Sequence, residues 1–547
     1  MGFLSVWHVI VAAAVVFAVR IARGYFAHSP LDNLPGPKRK SFLFGNITQI
    51  FGTRFAWDFH REIIYKYGPV SKIHGLLGQP SLLYVFDPKA LYSIIVKDQY
   101  VYEETPIFLN FNRIVFGEGL LSSLGEQHRH QRKILNPVFH ISHMRYMIPI
   151  FYRVTHKMRE AIVRQVENGE SEIDMLNWMT RAALELVGQG GLGHSFDPLD
   201  KDEINPFAED IKALIPTVGP LFLFMRVLPF LTKIGTPSFQ RRVLELFPNK
   251  RIQRIKEISD SLWETSTTIL RDKKQALAEG DDAVSQQVGE GKDIISVLLR
   301  ANMNASGEDK MPDNELLGHM SQLIFAAMET TSGALARLLH LLAQHQDVQD
   351  RLRQEIRTAK HEHNDQDIPY DTLVSLPYME AVCREALRLY SPLASMNRQV
   401  REDIILPFST PVRGEDGSTM TEVLVPKGTA VIVGLWASNI NPAIWGEDSE
   451  VYKPERWLKP LPETVTEAHI PGVYSNLMTF LGGGRACIGF KFSQLEMKVV
   501  LPVLVDTFQF DLAKDKEIYW NHAGVQYPSV GRESYKSELP LRVSLAK

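Results

Sequence analysis

Two cysteines occur in this 547-residue chain, and their settings differ. Cys487 lies in Phe480-Leu-Gly-Gly-Gly-Arg485-Ala-Cys487-Ile-Gly489, a glycine-rich loop with one cation, and a helical pattern follows from Phe490 to Thr507. Glycines let a backbone approach a flat ligand and aim N–H groups at a sulfur. A nearby cation, N–H donors and the start of a helix favour a thiolate over a thiol. Cys383 has no such loop around it and reads as a small buried hydrophobe. A second pair with chemical capacity is Glu329-Thr330, within Ala326-Ala327-Met328-Glu329-Thr330-Thr331. An acid beside a hydroxyl, facing a dry pocket, can relay protons. The apolar residues just before the pair argue against a solvated helix face. A third pair, Glu385 and Arg388, stands at i and i+3 and so shares one helix face.

These residues need elements to hold them. The 3.6-residue periodicity predicts one long helix from about Asp313 to His345, roughly 33 residues or about 50 Å at the usual rise. Glu329 and Thr330 fall near its middle. The helix carrying Glu385 and Arg388 should end at Tyr390, because Ser391-Pro392 disfavours helical backbone. Ser81 to Phe86 reads as a strand. Ala276 to Lys292 and Pro460 to Ser475 read as loops. Leu214 to Leu231 is unusually apolar, but Pro216, Pro220 and Pro229 interrupt it and Arg226 sits inside it. Short helices that dip into a membrane surface or cover a substrate entrance are expected there.

Composition excludes several classes. With 60 basic and 63 acidic residues the net charge is −3, so nothing points to a nucleic acid partner. Two cysteines cannot build a disulfide framework or a four-cysteine zinc site. Met1 to Val19 is apolar, and Arg20, Arg23, Lys38, Arg39 and Lys40 follow. An apolar run of about 20 residues spans a bilayer as a helix, and basic residues after it place that side in the cytosol. A cleaved signal peptide would carry its charge before the apolar core. Residues 1–24 are therefore expected to anchor the chain, and 25–40, with Leu34-Pro35-Gly36-Pro37, to form a stiff hinge. No internal repeat or further linker interrupts 41–547, which is expected to be one domain.

The loop around Cys487 resembles the haem-binding loop of the cytochrome P450 family, F-x-x-G-x-R-x-C-x-G, at every fixed position: Phe480, Gly483, Arg485, Cys487 and Gly489. The resemblance implies that Cys487 ligates the iron of haem b, with Phe480 beside the sulfur and Arg485 on a haem propionate. Glu385-Ala-Leu-Arg388 matches the family's E-x-x-R. Tyr452-Lys-Pro454-Glu455-Arg456-Trp457 resembles its aromatic-x-P-E-R-aromatic segment. Glu385, Arg388 and Arg456 are thus expected to form a buried structural triad. Ala326 to Thr331 resembles the oxygen-activating segment, with Ala327 where glycine is usual, which marks Glu329 and Thr330 as catalytic. In Gly125 to Lys133, His128 replaces the family's tryptophan and Arg132 is kept. Both are expected at a propionate, as is Arg398. The implied fold is mainly α with small β-sheets.

The resemblance implies a monooxygenase that uses O2 and NADPH. No dinucleotide-binding glycine motif follows a strand, so electrons are expected through a separate NADPH–cytochrome P450 reductase. The expected setting is the endoplasmic reticulum membrane, single-pass, with the catalytic domain in the cytosol. Pocket-lining stretches by resemblance are 108–116, 214–230, 323–330 and 393–397. They are mostly apolar, which suits a lipophilic small molecule. The overall style looks fungal, and a terpenoid or other secondary metabolite is the expected substrate, with fatty acids or xenobiotics as alternatives. A family member acting as an isomerase or dehydratase without O2 would tend to lack the acid–threonine pair. A haem sensor or electron carrier would need neither that pair nor the apolar regions.

Overall fold

The computed structural model describes residues 29–547 except 77–78, 202, 306 and 308–309, and before residue 29 only positions 8, 11 and 15. The anchor expected over 1–24 otherwise lies outside the described residues. Among the described residues no helix is long and apolar enough to cross a membrane.

The chain folds as two compact units, each assembled from three stretches. The first takes Met1–Thr105, Leu393–Glu450 and Pro462–Ala486, and the second takes Pro106–Pro392, Val451–Leu461 and Cys487–Lys547. The glycine-rich loop thus begins in the first unit, and Cys487 belongs to the second.

The first unit is built on a five-stranded sheet in the order Val70–Ile73, Leu82–Val85, Ala430–Gly434, Ser395–Val400, Tyr102–Glu103. The second and third of these are parallel and the remaining pairs antiparallel. Val70, Leu83, Tyr84, Val85 and Val431 to Val433 are fully buried, as strands covered on both faces require. The proline-rich segment ahead of the sheet is docked against it. Leu31 and Leu34 are fully buried, the Lys72 N–H donates to the Pro35 carbonyl at 2.9 Å, and a Cβ on Gly36 would lie 2.2 Å from the Lys72 oxygen.

The second unit is mainly helical. Five of its helices position the residues of interest: α1 (Gly125–Leu135), α2 (Pro206–Lys212), α3 (Asp313–Gln344), α4 (Pro377–Leu389) and α5 (Phe490–Thr507). Their ends follow local chemistry. Asn205 caps α2 by accepting from the Ala208 N–H at 3.0 Å, and Pro206 fills the first helical position. Proline also opens α4, and Tyr390 closes it just ahead of Ser391-Pro392. Met320, Ile324 and Met328 of α3 pack in one core cluster with Ala208 and Ile211 of α2 and with Leu214. Each large side chain so buried contributes about 1.5–3 kcal/mol.

Two expected loops are partly helical. The helix Lys250–Glu279 runs past Ala276, whose side chain is buried, and stops only at Gly280, whose φ is 112°. A short helix, Asp281–Ser285, follows. The stretch 460–475 holds one helical turn, Glu463–Thr466, pinned by Thr464 donating to the Ile444 carbonyl at 2.7 Å. The apolar segment from Leu214 is divided into short helices, Leu214–Val218, Phe222–Met225 and Leu228–Leu231, with Pro220 in the turn between the first two and Pro216 and Pro229 in the first turns of the first and third.

Candidate active site

In the first unit, Arg398 and Arg485 converge on one carboxylate, Glu104. The strand pairing explains this. Tyr102 faces Val400 and Glu103 faces Gln399, so the next step of the register sets Glu104 opposite Arg398. Arg485 Nη2 lies 3.1 Å from Glu104 Oε2, and Arg398 Nη2 lies 3.4 Å from Oε1. The second contact lacks hydrogen-bond geometry, so Arg398 Nη2 is a buried donor without an acceptor; only Nη1 is satisfied, by the Asn397 carbonyl at 3.0 Å. Burial lowers the Arg398 pKa, and the Glu104 charge partly restores it. Glu104 was not foreseen from sequence, and only the strand register could have marked it.

The glycines of the loop serve close packing. Gly483 has φ +61°, and a Cβ there would sit 2.0 Å from the Ile95 oxygen. At Gly482 the clash would be with the Pro471 oxygen at 1.7 Å. The sequence argument placed Gly483 against a ligand, whereas here protein backbone excludes its side chain. The Gly484 N–H donates to Gln99 Oε1 at 2.9 Å, and Phe480 meets Tyr474 edge-on at 5.6 Å.

In the second unit, Cys487 stands one turn ahead of α5. Its side chain is solvent-accessible yet ringed by protein, which pushes the thiol pKa up. Two features oppose that push: a hydrogen bond from the Gly489 backbone N–H, and the positive charge of Arg132 on α1. Burial lowers the Arg132 pKa in turn, and Cys487 raises it. His128, one turn before Arg132, is buried. Cys383 on α4 is buried and its thiol is pushed up to about 12, as befits an inert core cysteine.

Across α3 the accessible positions form one stripe. Between residues 315 and 343 the sole exposed residue is Ala326, and Leu323, Phe325, Ala327, Glu329, Thr330, Gly333 and Arg337 are half-buried. Thr331 is buried on another face. Thr330 Oγ1 donates to the Ala326 carbonyl at 2.7 Å, which leaves its lone pairs to accept. Burial raises Glu329 to about 8; Lys212 lowers it and Glu209 raises it, both from α2. At neutral pH this acid holds its proton.

Glu385 anchors the base of the unit. Arg388 forks onto it at 2.9 and 2.8 Å, and both side chains are fully buried. Arg456 Nε approaches at 3.4 Å, Trp457 Nε1 donates at 2.9 Å and the Lys453 N–H at 3.2 Å. The indole and the backbone donor were not foreseen from sequence.

The family model for Cytochrome P450 matches residues 35–524. The chain belongs to the cytochrome P450 family. Two cytochrome P450 monooxygenases of Postia placenta are 58% and 51% identical to it, over 96% and 98% of the chain and 96% and 97% of their own lengths. A ganoderic acid synthetase of Ganoderma lucidum is 46% identical over 98% of the chain and 97% of its own length. This P450 is accordingly an oxidoreductase, a haem-thiolate monooxygenase. Its residues fit the haem that the family uses. Cys487 is a thiol supported by an N–H and a guanidinium. Arg398 presents a buried donor with no hydrogen-bond acceptor, of the kind a propionate satisfies.

Proposed function

We propose that this P450 inserts one oxygen atom from O2 into a terpenoid or similar secondary metabolite, with electrons from NADPH delivered by NADPH–cytochrome P450 reductase. A haem bound at Cys487 supplies the O2 activation; the chain supplies the ligand, the proton path and the pocket. Cys487 gives the thiolate, favoured by Gly489 N–H and Arg132. By the family resemblance, Arg398, Arg485, Arg132 and His128 are the side chains that would engage the propionates. Glu329, protonated at neutral pH, is the proton source, and Thr330 accepts and passes that proton along the stripe. Phe480, Gly483 and Gly489 hold the loop that presents the sulfur. Ala327 narrows the notch beside Thr330 by one methyl.

The observation that carries the reaction class is a protonated acid beside a hydroxyl on the accessible stripe of an otherwise sealed helix. A ganoderic acid synthetase among the relatives supports the substrate class. We place the chain in the endoplasmic reticulum membrane with residues 1–24 as a single span and the enzyme in the cytosol. Phe230 and Leu246, 67% and 77% exposed, suit a second contact with the lipid surface. The test is a host carrying this chain and a reductase, fed a panel of terpenoid skeletons. Oxygenated products that require both proteins support the reading; turnover without O2 consumption would replace it by isomerisation or dehydration.

A further inference from the structure

Helix α1 carries Arg132, whose charge acts on Cys487, yet it has little apolar surface to hold it in place. Of its 11 residues only His128, Gln131 and Leu135 are buried. Leu135, with half-buried Ile134 beside it, joins the core cluster that holds Leu316 and Met320 of α3. Apolar contact is non-directional, so it seats the helix without fixing its rotation. The other fixed point is polar. Gln131 is fully buried, and its Nε2 donates to Glu315 Oε1 at 2.5 Å, a partner 184 residues away in sequence. Its Oε1 accepts from the Ser123 hydroxyl at 2.5 Å.

Both ends of this chain of bonds are anchored. Glu315 lies in the first turn of α3, where the helix dipole favours an acid. His319 holds its carboxyl below the usual range, with help from Gln131 and against the cost of burial. An ionised carboxylate can only accept, so the Gln131 amide must turn its NH2 toward Glu315 and its oxygen toward Ser123. The segment with Ser123 is itself seated on α3. Gln322 Oε1 accepts from the Leu121 N–H at 3.0 Å, and a Cβ on Gly318 would lie 1.7 Å from the Glu118 oxygen. The amide therefore bridges two fixed points, and α1 is held at the angle the amide sets.

We propose that Gln131 and Glu315 are positioning residues for the haem thiolate: their bond sets the rotation of α1 and so holds the Arg132 guanidinium toward Cys487. The proposal rests on the assignment of Cys487 as the iron ligand. Gln131 and Arg132 are consecutive, about 100° apart around the helix, so a rotation that frees the amide swings the guanidinium with it. The Arg132 charge opposes the cost of burying the sulfur as an anion. With that charge displaced, Cys487 shifts toward the thiol, and the thiolate is the form that ligates a metal. Neither Gln131 nor Glu315 acts on the sulfur directly; both act through Arg132.

The experiment is a double-mutant cycle on the haem-loaded full-length protein. Two readings are taken: the rate of haem transfer to excess apomyoglobin, and the share of the reduced carbon-monoxide complex that shows the red-shifted Soret band. Gln131→Glu sets two carboxylates against each other; haem loss is expected to quicken about tenfold and the red-shifted share to fall. Gln131→Glu combined with Glu315→Gln reverses donor and acceptor, and should return both readings to within about twofold of wild type. In an Arg132→Gln background, Gln131→Glu should add less than about twofold, because the guanidinium it displaces is already gone. Should Gln131→Glu or Arg132→Gln fail to hold haem, Gln131→Met, which removes both hydrogen bonds without adding charge, and Arg132→Lys, which loses the planar fork, replace them with the same non-additive pattern expected. No rescue by the reversed pair, additive losses with the Arg132 variant, or a fall in thermal midpoint with both haem readings unchanged would overturn the proposal. A wild type without the red-shifted band would overturn the ligand assignment and the proposal together, whereas additive losses in a protein that has the band overturn the proposal alone.

Discussion

Raising the pH from 7 to 9 carries Glu329 through its titration. With a pKa of about 8 the carboxyl is about nine-tenths protonated at pH 7 and about one-tenth at pH 9, a roughly tenfold loss of the donor form. Burial is the principal cause, and the Lys212 and Glu209 charges from α2 act in opposite directions on top of it. If Glu329 supplies the proton that Thr330 passes on, reduced oxygen should escape as peroxide more often as the acid empties. The assay is product formed per NADPH consumed, with peroxide measured alongside, in reconstituted enzyme and reductase from pH 6.5 to about 9.5. The peroxide-to-product ratio is the quantity to follow, at a fixed excess of reductase, because it reports how reduced oxygen partitions rather than how fast the enzyme turns over. It should rise through pH 8 in the wild type. In Glu329→Gln it should be high and flat. A flat ratio in the wild type, or the same limb in Glu329→Gln, would refute the assignment. Stability carries an independent sign. The folded state keeps this proton to about pH 8 while the unfolded chain releases it near 4.5. The unfolded state therefore binds fewer protons between those values, and stability should fall with rising pH there, by about 1.4 kcal/mol per unit. Above pH 8 that contribution is flat, and Glu329→Gln should remove it.

Three further outcomes are expected. Cys487→Ala should lose the red-shifted Soret band of the reduced carbon-monoxide complex, whereas Cys383→Ala should keep it; a Cys487→Ala protein with the wild-type band would end the ligand assignment. Thr330→Val should bind haem and consume NADPH while yielding less product and more peroxide, and Thr331→Val, on the buried face, should leave that ratio alone. Arg388→Ala strips two charge-assisted bonds from a fully buried Glu385 and should cost about 3–5 kcal/mol, read as a drop in thermal midpoint and haem retention. Arg456→Ala loses a longer approach to Glu385, at 3.4 Å, and should cost less; the reverse order would show that the triad is weighted otherwise.

What the sequence made legible was local. The Cys487 loop, the i,i+3 pair Glu385–Arg388 and the Glu329-Thr330 register are each set by neighbours within one turn of chain, so spacing alone exposed them. The end of α4 at Tyr390 was legible for the same reason, because proline acts on the residue before it. The loop expected from Ala276 failed by four residues, because the stretch is polar in composition while Ala276 itself is buried and keeps the helix going to Gly280.

What stayed hidden was set by partners distant in sequence. Glu104 becomes the shared counter-ion of Arg398 and Arg485 only through a strand pairing across almost 300 residues, Tyr102 with Val400. Arg337 is stacked between Tyr390 and Trp520, rings that only the fold brings to it. These two buried cation sites make opposite arguments. At Glu104 the chain supplies its own carboxylate, so a propionate has to share the arginines with a resident anion. At Arg337 it supplies two aromatic faces in place of a carboxylate. Glu104→Gln should therefore release Arg398 and Arg485 from their shared carboxylate toward a propionate. A haem titration of wild type and Glu104→Gln reads the effect: tighter haem binding by the variant is expected, and unchanged or weaker binding would refute the reasoning.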